Sequence, residues 1–377
     1  MKTETEKISS SQLMFLIIGL LIGSSLLIAF MDGIAKQDAW LVIVAAFLAS
    51  IPFVLSYVFL TKRFPGKSLI EINDIIFGPY LGKIVSILYV GYFLYLFLLN
   101  LRVLANFYVG FILTETPMLI ILIVFTAICA YAVKKGIETI ARISLVAVVC
   151  SAITVIIVFI LLLGSMDFAN FQPVGSTPLK SFIKGTHIFA AVSFCEIFVF
   201  LMIFPSLNKT KKTGKSTMLG FSLGALVLLI ISMRNTAVLG PATVMFTNAT
   251  YEASRLINIG EILTRIELFS AFGITVTLFI KACIFYYATV KSTAQLFRMR
   301  SGSPLILPIG IIGVIYALVV FESIISQQQS AETYHAMVAL PFEFVIPPVS
   351  LFIAKIRKLP KQMPERCDDG QEAWRTE

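Results

Sequence analysis

Charge is scarce in this chain of 377 residues: Asp, Glu, Lys and Arg together make up 14%. Histidine is scarcer, with only His187 and His335, each alone and read as a helix-end or packing residue. There is no H-E-x-x-H, no histidine cluster and no nucleophile–base motif, so neither enzymatic catalysis nor a metal site is expected. The five cysteines (Cys129, Cys150, Cys195, Cys283, Cys367) show no C-x-x-C spacing, and four lie in apolar runs. A disulfide framework or zinc site is therefore not expected, and no cofactor is called for. A net charge of +9 is also what a nucleic-acid-binding chain carries. The basic residues, however, sit in short segments between apolar runs, where membrane topology wants them, so no nucleic-acid partner is expected.

Apolar side chains are what the chain has in excess. It is 58% hydrophobic, with 32 Phe and a mean hydropathy of +0.92, more than a soluble domain of this size needs. A membrane crossing takes about 20 mostly apolar residues. Ten stretches qualify: 12–31, 39–60, 84–113, 118–133, 143–163, 186–205, 217–233, 266–289, 305–324 and 336–354. The third is long enough to tilt or protrude. The first lacks an A-x-A-like exit and precedes many more spans, so it reads as a retained helix rather than a signal peptide.

Lys and Arg set the orientation. With the N-terminus inside, 22 of the 30 fall in inside segments and six outside, while Arg102 and Lys281 lie within spans. This bias predicts N-in and C-in with ten spans. The expected architecture is an all-α membrane protein with one polytopic domain over 1–354. Its halves, about 12–163 and 186–354, fit two inverted five-helix repeats. The polar tail 355–377 reads as disordered and cytoplasmic. Segment 61–83 has apolar residues at helical spacing (Leu69, Ile72, Ile75, Ile76), predicting a short amphipathic helix on the membrane surface. Segment 165–184 reads as an irregular outer loop. Segment 234–265 reads as a hydrophilic outer cap with a helical pattern in 251–261.

The sixth stretch organises the rest. It is apolar enough to cross, yet Glu196 sits near its middle. A carboxylate there is costly unless it meets water, a partner charge or a ligand. Ser193-Phe194-Cys195-Glu196 also breaks the apolar run. The first stretch is broken too, by Gly19, Gly23, Ser24 and Ser25 around Ile22. Glycine and serine weaken helices there. In ten-span folds of two inverted repeats, the first helix of each repeat is broken near the midplane, and its freed backbone holds ligand. Gly19-x-x-x-Gly23 is equally a close-packing device between membrane helices, and that reading stays open. Arg102, Lys281 and Glu343 are the other charges at depth. Pairing is expected, with Glu196 partnered by Lys281 or Arg102, serving either helix register or the sensing of a ligand or coupling ion.

The order of short motifs along the spans resembles a known family. They are Ile8-Ser-Ser-Ser-Gln12-Leu before the first span, Ile22-Gly23-Ser24-Ser25 within it, and Lys36-Gln-Asp-Ala-Trp40 opening the second. Lys62-Arg-Phe-Pro65-Gly66-Lys-Ser-Leu69, Thr114-Glu115-Thr116-Pro117, Lys135-Gly136-Ile137-Glu138 with Ala141-Arg142, and Ile262-Leu263-Thr264-Arg265-Ile266-Glu267 follow. Over nearly its whole length the chain resembles the permease-like B subunit of spore germinant receptors, within the amino acid–polyamine–organocation (APC) transporter superfamily. The resemblance implies a LeuT-like fold, the spore inner membrane, and work with an A subunit and a lipoprotein C subunit. It implies a small nutrient, often an amino acid, bound where Gly23, Ser24 and Ser25 meet Phe194, Cys195 and Glu196. The proton-coupling lysine known in span five of some transporters of the superfamily has no counterpart here, which favours sensing. A secondary amino acid transporter and a conduit for ions or metabolites are the competing expectations.

Overall fold

The computed structural model describes residues 7–208, 212–257 and 265–360. The tail from 361 and part of the expected 251–261 helix lie outside the described residues. Within them the chain is helical, apart from one isolated bridge. Seven helical stretches are long and apolar enough to cross a membrane, and two shorter apolar helices, Met118–Lys134 and Ser303–Val319, stand beside them.

The chain starts with a capping box. The Ser9 hydroxyl accepts from the Gln12 amide and the Gln12 side chain accepts from the Ser9 amide, opening α1, Ser10–Ile22. α1 stops at Gly23. A tight 3₁₀ turn over Ser25–Leu27 follows, then α2, Ile28–Ala35. A Cβ at Gly23 would stand 2.9 Å from the Thr277 carbonyl, so only glycine allows the close approach. Lys36, at φ 50°, reverses the chain into α3, Ala39–Arg63.

α4, Leu69–Phe107, opens on a Ser68–Glu71 capping box and bends sharply at Gly78, where φ is 84°. Its first part is the expected amphipathic helix. Leu69, Ile72 and Ile76 are buried within the protein, however, so this face packs on the bundle. α5 (Met118–Lys134) and α6 (Ile137–Leu162) show apolar residues such as Ile123, Ile153 and Ile160 on their exposed faces, as lipid-facing helices do.

The sixth stretch begins earlier than hydropathy suggested. α7 spans Leu179–Phe189 and passes into a widened π turn over Ala190–Phe194. The chain then winds tightly as 3₁₀ helix from Cys195 to Met202. Such a long 3₁₀ run is uncommon. It is buried throughout. At its end, main-chain hydrogen bonds run from the Ile8 amide to the Ser206 carbonyl (2.8 Å) and from the Asn208 amide to the Ile8 carbonyl (3.1 Å). The beginning of α1 and the end of the sixth stretch are thus sewn together.

α8 spans Thr213–Leu239, and the outer segment expected from residue 234 therefore starts later: Arg234 lies inside the helix and is buried. A short α9 (Ala249–Arg255) precedes α10 (Glu267–Leu296), the central pillar against α1, α4 and α6. α11 spans Ser303–Val319. The last crossing runs from Ile324 to Ile356. It includes α12 (Ile324–Ser330), α13 (Ala336–Ala339) and α14 (Ile346–Ile356), with π-type widenings at Ala331–His335 and Leu340–Val345.

Candidate functional site

Lys281 sits near the middle of α10 with 1% of its side chain exposed, so it has no route to water by stretching. Its Nζ lies 2.7 Å from Glu196 Oε2, on the tightly wound part of the sixth stretch. The same ammonium donates to Ser24 Oγ at 2.7 Å, at the break after α1, and faces the Val192 carbonyl at 3.5 Å in the π turn. One cation therefore binds both interrupted segments. A bare carboxylate or ammonium at this depth would be costly, and the pair offsets that cost through short charge-assisted contacts.

The pair forms part of the wall of a chamber of about 50 Å³. Tyr95, Asn100, Gln327, Ser330 and His335 supply its other polar side chains, and Leu27 and Phe30 part of its apolar surface. A cavity of about 40 Å³ shares Leu27, Phe30, Val103 and Gln327 with it and continues past Phe107, at the far end of α4. Towards the near end of α4 the path is filled by rings. Tyr92 stacks on Phe342 at 4.4 Å and on Phe198 at 5.5 Å, and Phe93 on Phe198 at 5.3 Å. The chamber thus shares a wall with a second cavity towards one end of the bundle and meets packed rings towards the other.

Glu343 lies in that layer of rings, fully buried in a π-type widening. Tyr92 Oη donates to its Oε1 at 2.7 Å, while Oε2 has no partner. Tyr57 donates to the Glu343 carbonyl at 2.7 Å and Tyr89 to the Phe342 carbonyl at 2.9 Å. These bonds satisfy backbone that the π turn frees.

Arg102 has a different occupation from the one expected as an alternative. It does not pair with Glu196. Its guanidinium donates to the carbonyls of Ala317, Leu318 and Phe321 at 2.6–2.9 Å and to Asn106 Oδ1 at 3.1 Å, closing the C-terminal end of α11. That end carries unpaired carbonyls and partial negative charge, which suits a cation.

The remaining sequence candidates divide. Glu196 and Lys281 line the chamber, and Ser24 reaches it only through Lys281. Gly19 packs on Ile280 and Val148, and Gly23 on Thr277 and Lys281, both facing α10. Phe194 stands in a ring cluster with Phe47, Phe189 and Phe221, and Cys195 Sγ meets Ser50 Oγ at 3.5 Å. Ile22 and Ser25 line a separate cavity. His335, read from sequence as a packing residue, lies on the chamber wall stacked on Tyr95 at 5.6 Å. Asn100 and Gln327 were not singled out. An amide within an apolar run was the signal available for Asn100, whereas Gln327 lies in the polar run 326–330 between two expected spans and gave none.

Interrupted helices joined by a buried ion pair at a central chamber define the class: a multi-pass helical membrane protein of transporter fold. Solved structures agree on the fold. A Na⁺-coupled sialic acid symporter in a substrate-bound outward-open state matches with a TM-score of 0.67 at 12% identity, covering 93% of this chain and 80% of that one. Mhp1, a nucleobase-cation-symport-1 family transporter in a closed conformation, matches with a TM-score of 0.66 at 15% identity, covering 92% and 78%. The chain belongs to the spore germination protein (spore permease) family, whose profile matches residues 7–324. It is 28% identical to spore germination protein KB of Bacillus subtilis (strain 168) over 98% of this chain and all of that protein. It is 25% identical to spore germination protein B2 of the same organism over 60% of this chain and 62% of the relative.

Proposed function

We propose that this chain is the membrane subunit of a nutrient germinant receptor of the spore inner membrane, acting with an A subunit and a lipoprotein C subunit. In this reading it has ten crossings in two inverted five-helix repeats, with both termini inside. A compact zwitterion, such as an amino acid, binds at the chamber and signals germination. The observation that carries this is the Lys281 ammonium held at once by Glu196, Ser24 and the Val192 carbonyl. An incoming ammonium competes for Glu196 and an incoming carboxylate for Lys281. Either capture loosens the hold on both interrupted segments. A ligand that binds the two arrangements with different affinity then shifts their balance, which is all that signalling requires.

The test uses spores carrying Glu196→Gln or Ser24→Leu at the native locus. The nutrient concentration for half-maximal germination is expected to rise at least about tenfold, equivalent to about 1.4 kcal/mol. Unchanged dose–response curves in both variants overturn the assignment.

A second reading, secondary transport of amino acids, is favoured by the likeness in fold to solved symporters. It predicts saturable substrate flux into proteoliposomes holding this chain alone. Absence of flux across a broad amino acid panel counts against it.

A further inference from the structure

Arg234, in the last turns of α8, is 2% exposed. A guanidinium keeps its proton in proteins. Among the described residues it joins no ion pair. Its Nη2 donates to a neutral acceptor, Asn235 Oδ1, at 2.8 Å, and its Nε is buried with no partner. A permanent cation without a counter-charge inside a membrane bundle is an expensive arrangement.

Arg234 lines a small cavity of about 20 Å³ between the break after α1 and helices α6, α8 and α10. The other polar groups of its wall are hydroxyls: Ser25, Ser151, Thr154, Thr250, Ser270 and Thr277. No carboxylate lines it. The Thr250 oxygen accepts from Asn235 Nδ2 at 3.0 Å, which leaves its own proton to be donated elsewhere. Gly273 keeps the wall beside Ser151 open, since a Cβ there would come to 3.5 Å from Ser151 Oγ.

Thr154 and Thr277 spend their protons on helix carbonyls and Ser270 bonds to Ser254, which leaves the hydroxyls of Ser25, Ser151 and Thr250. We propose that this cavity is an anion site, holding one monovalent ion of chloride size between the Arg234 guanidinium and those three hydroxyls. The charge selects the sign, because a cation beside Arg234 would be repelled. The volume selects the size. One water-sized body needs about 10–15 Å³ by this measure, so the cavity takes a single such body and excludes sulfate or an amino acid. A water fits the space but leaves the guanidinium uncompensated. The ion bridges Ser25, in the 3₁₀ turn after α1, to α8. It thereby steadies the segment whose neighbouring residue, Ser24, accepts from Lys281.

The experiment uses the full chain in lipid nanodiscs, with the thermal midpoint followed in sodium chloride, bromide, sulfate and gluconate at fixed ionic strength. The midpoint is expected to rise saturably with chloride and bromide but not with sulfate or gluconate. Arg234→Gln is expected to abolish the chloride effect. Ser151→Ala is expected to weaken the apparent chloride affinity several-fold while keeping the gluconate midpoint. If Arg234→Gln does not fold, the Ser151→Ala titration decides. Equal midpoints in all four salts, or chloride titrations unchanged by the variants, overturn the proposal and leave the cavity to water.

Discussion

Lys281 Nζ and Ser24 Oγ meet at 2.7 Å across 257 residues of chain. The contact places the break after α1 and the carboxylate of the sixth stretch under one positive charge. The first prediction follows from that geometry. Lys281→Met strands Glu196 as an unpaired buried carboxylate and is expected to cost about 3–5 kcal/mol of stability. Lys281→Met combined with Glu196→Gln removes both charges and recovers most of that loss, while the nutrient response stays abolished. Thermal unfolding of the two variants and the double mutant gives the coupling. A double mutant no more stable than Lys281→Met contradicts the pairing argument.

Gly23→Ala puts a methyl 2.9 Å from the Thr277 carbonyl and 3.0 Å from Lys281 Cβ. Backbone cannot yield as a side chain can, so α1 must shift from α10 at a cost of about 1–3 kcal/mol. The germination response falls with it as Ser24 is drawn away from Lys281. Gly91→Ala, inside α4 with nothing within 4 Å, serves as the control and is expected to be no less stable than wild type, with an unchanged germination response.

Arg102 closes the end of α11 with a planar fork of donors. Arg102→Lys keeps the charge but cannot span carbonyls of three residues. It is expected to lose about 1.5–3 kcal/mol, the worth of charge-assisted bonds, nearly as much as Arg102→Ala. Full rescue by lysine, measured by thermal unfolding in detergent, would show that charge alone matters there.

Tyr92→Phe removes the hydroxyl that serves Glu343 Oε1 and leaves both carboxylate oxygens without donors. The expected loss is about 1–3 kcal/mol, the cost of orphaning a buried polar group. In a Glu343→Leu background the same change is expected to be close to neutral. Equal losses in both backgrounds would break the link between the two residues.

Much of this organisation was readable in the chain. Glu196 stood out because a carboxylate is rare in an apolar run, and Gly23-Ser24-Ser25 marked a helix that could not continue. Lys281 was one of two partners the charges at depth offered Glu196; that the same ammonium also holds Ser24 was not readable, since it depends on how α10 packs between the two segments. Arg102 looked like an ion-pair partner because sequence displays charge and hides the carbonyls at the end of α11. Arg234, followed by Asn235 and Thr236, resembled the start of a loop. Tertiary packing extends α8 to Leu239 and buries it. His335 gave no signal of its own, as its place on the chamber depends on the π turn at Ala331–His335.

The main-chain bonds at Ile8 carry a mechanical consequence. They fasten the start of α1 to the end of the sixth stretch, so any motion that keeps them carries the two segments together. A rearrangement that keeps these bonds pivots at Gly23 and at the Ala190–Phe194 turn. Loosening of Lys281 is therefore expected to turn the paired segments together, not to slide one of them alone.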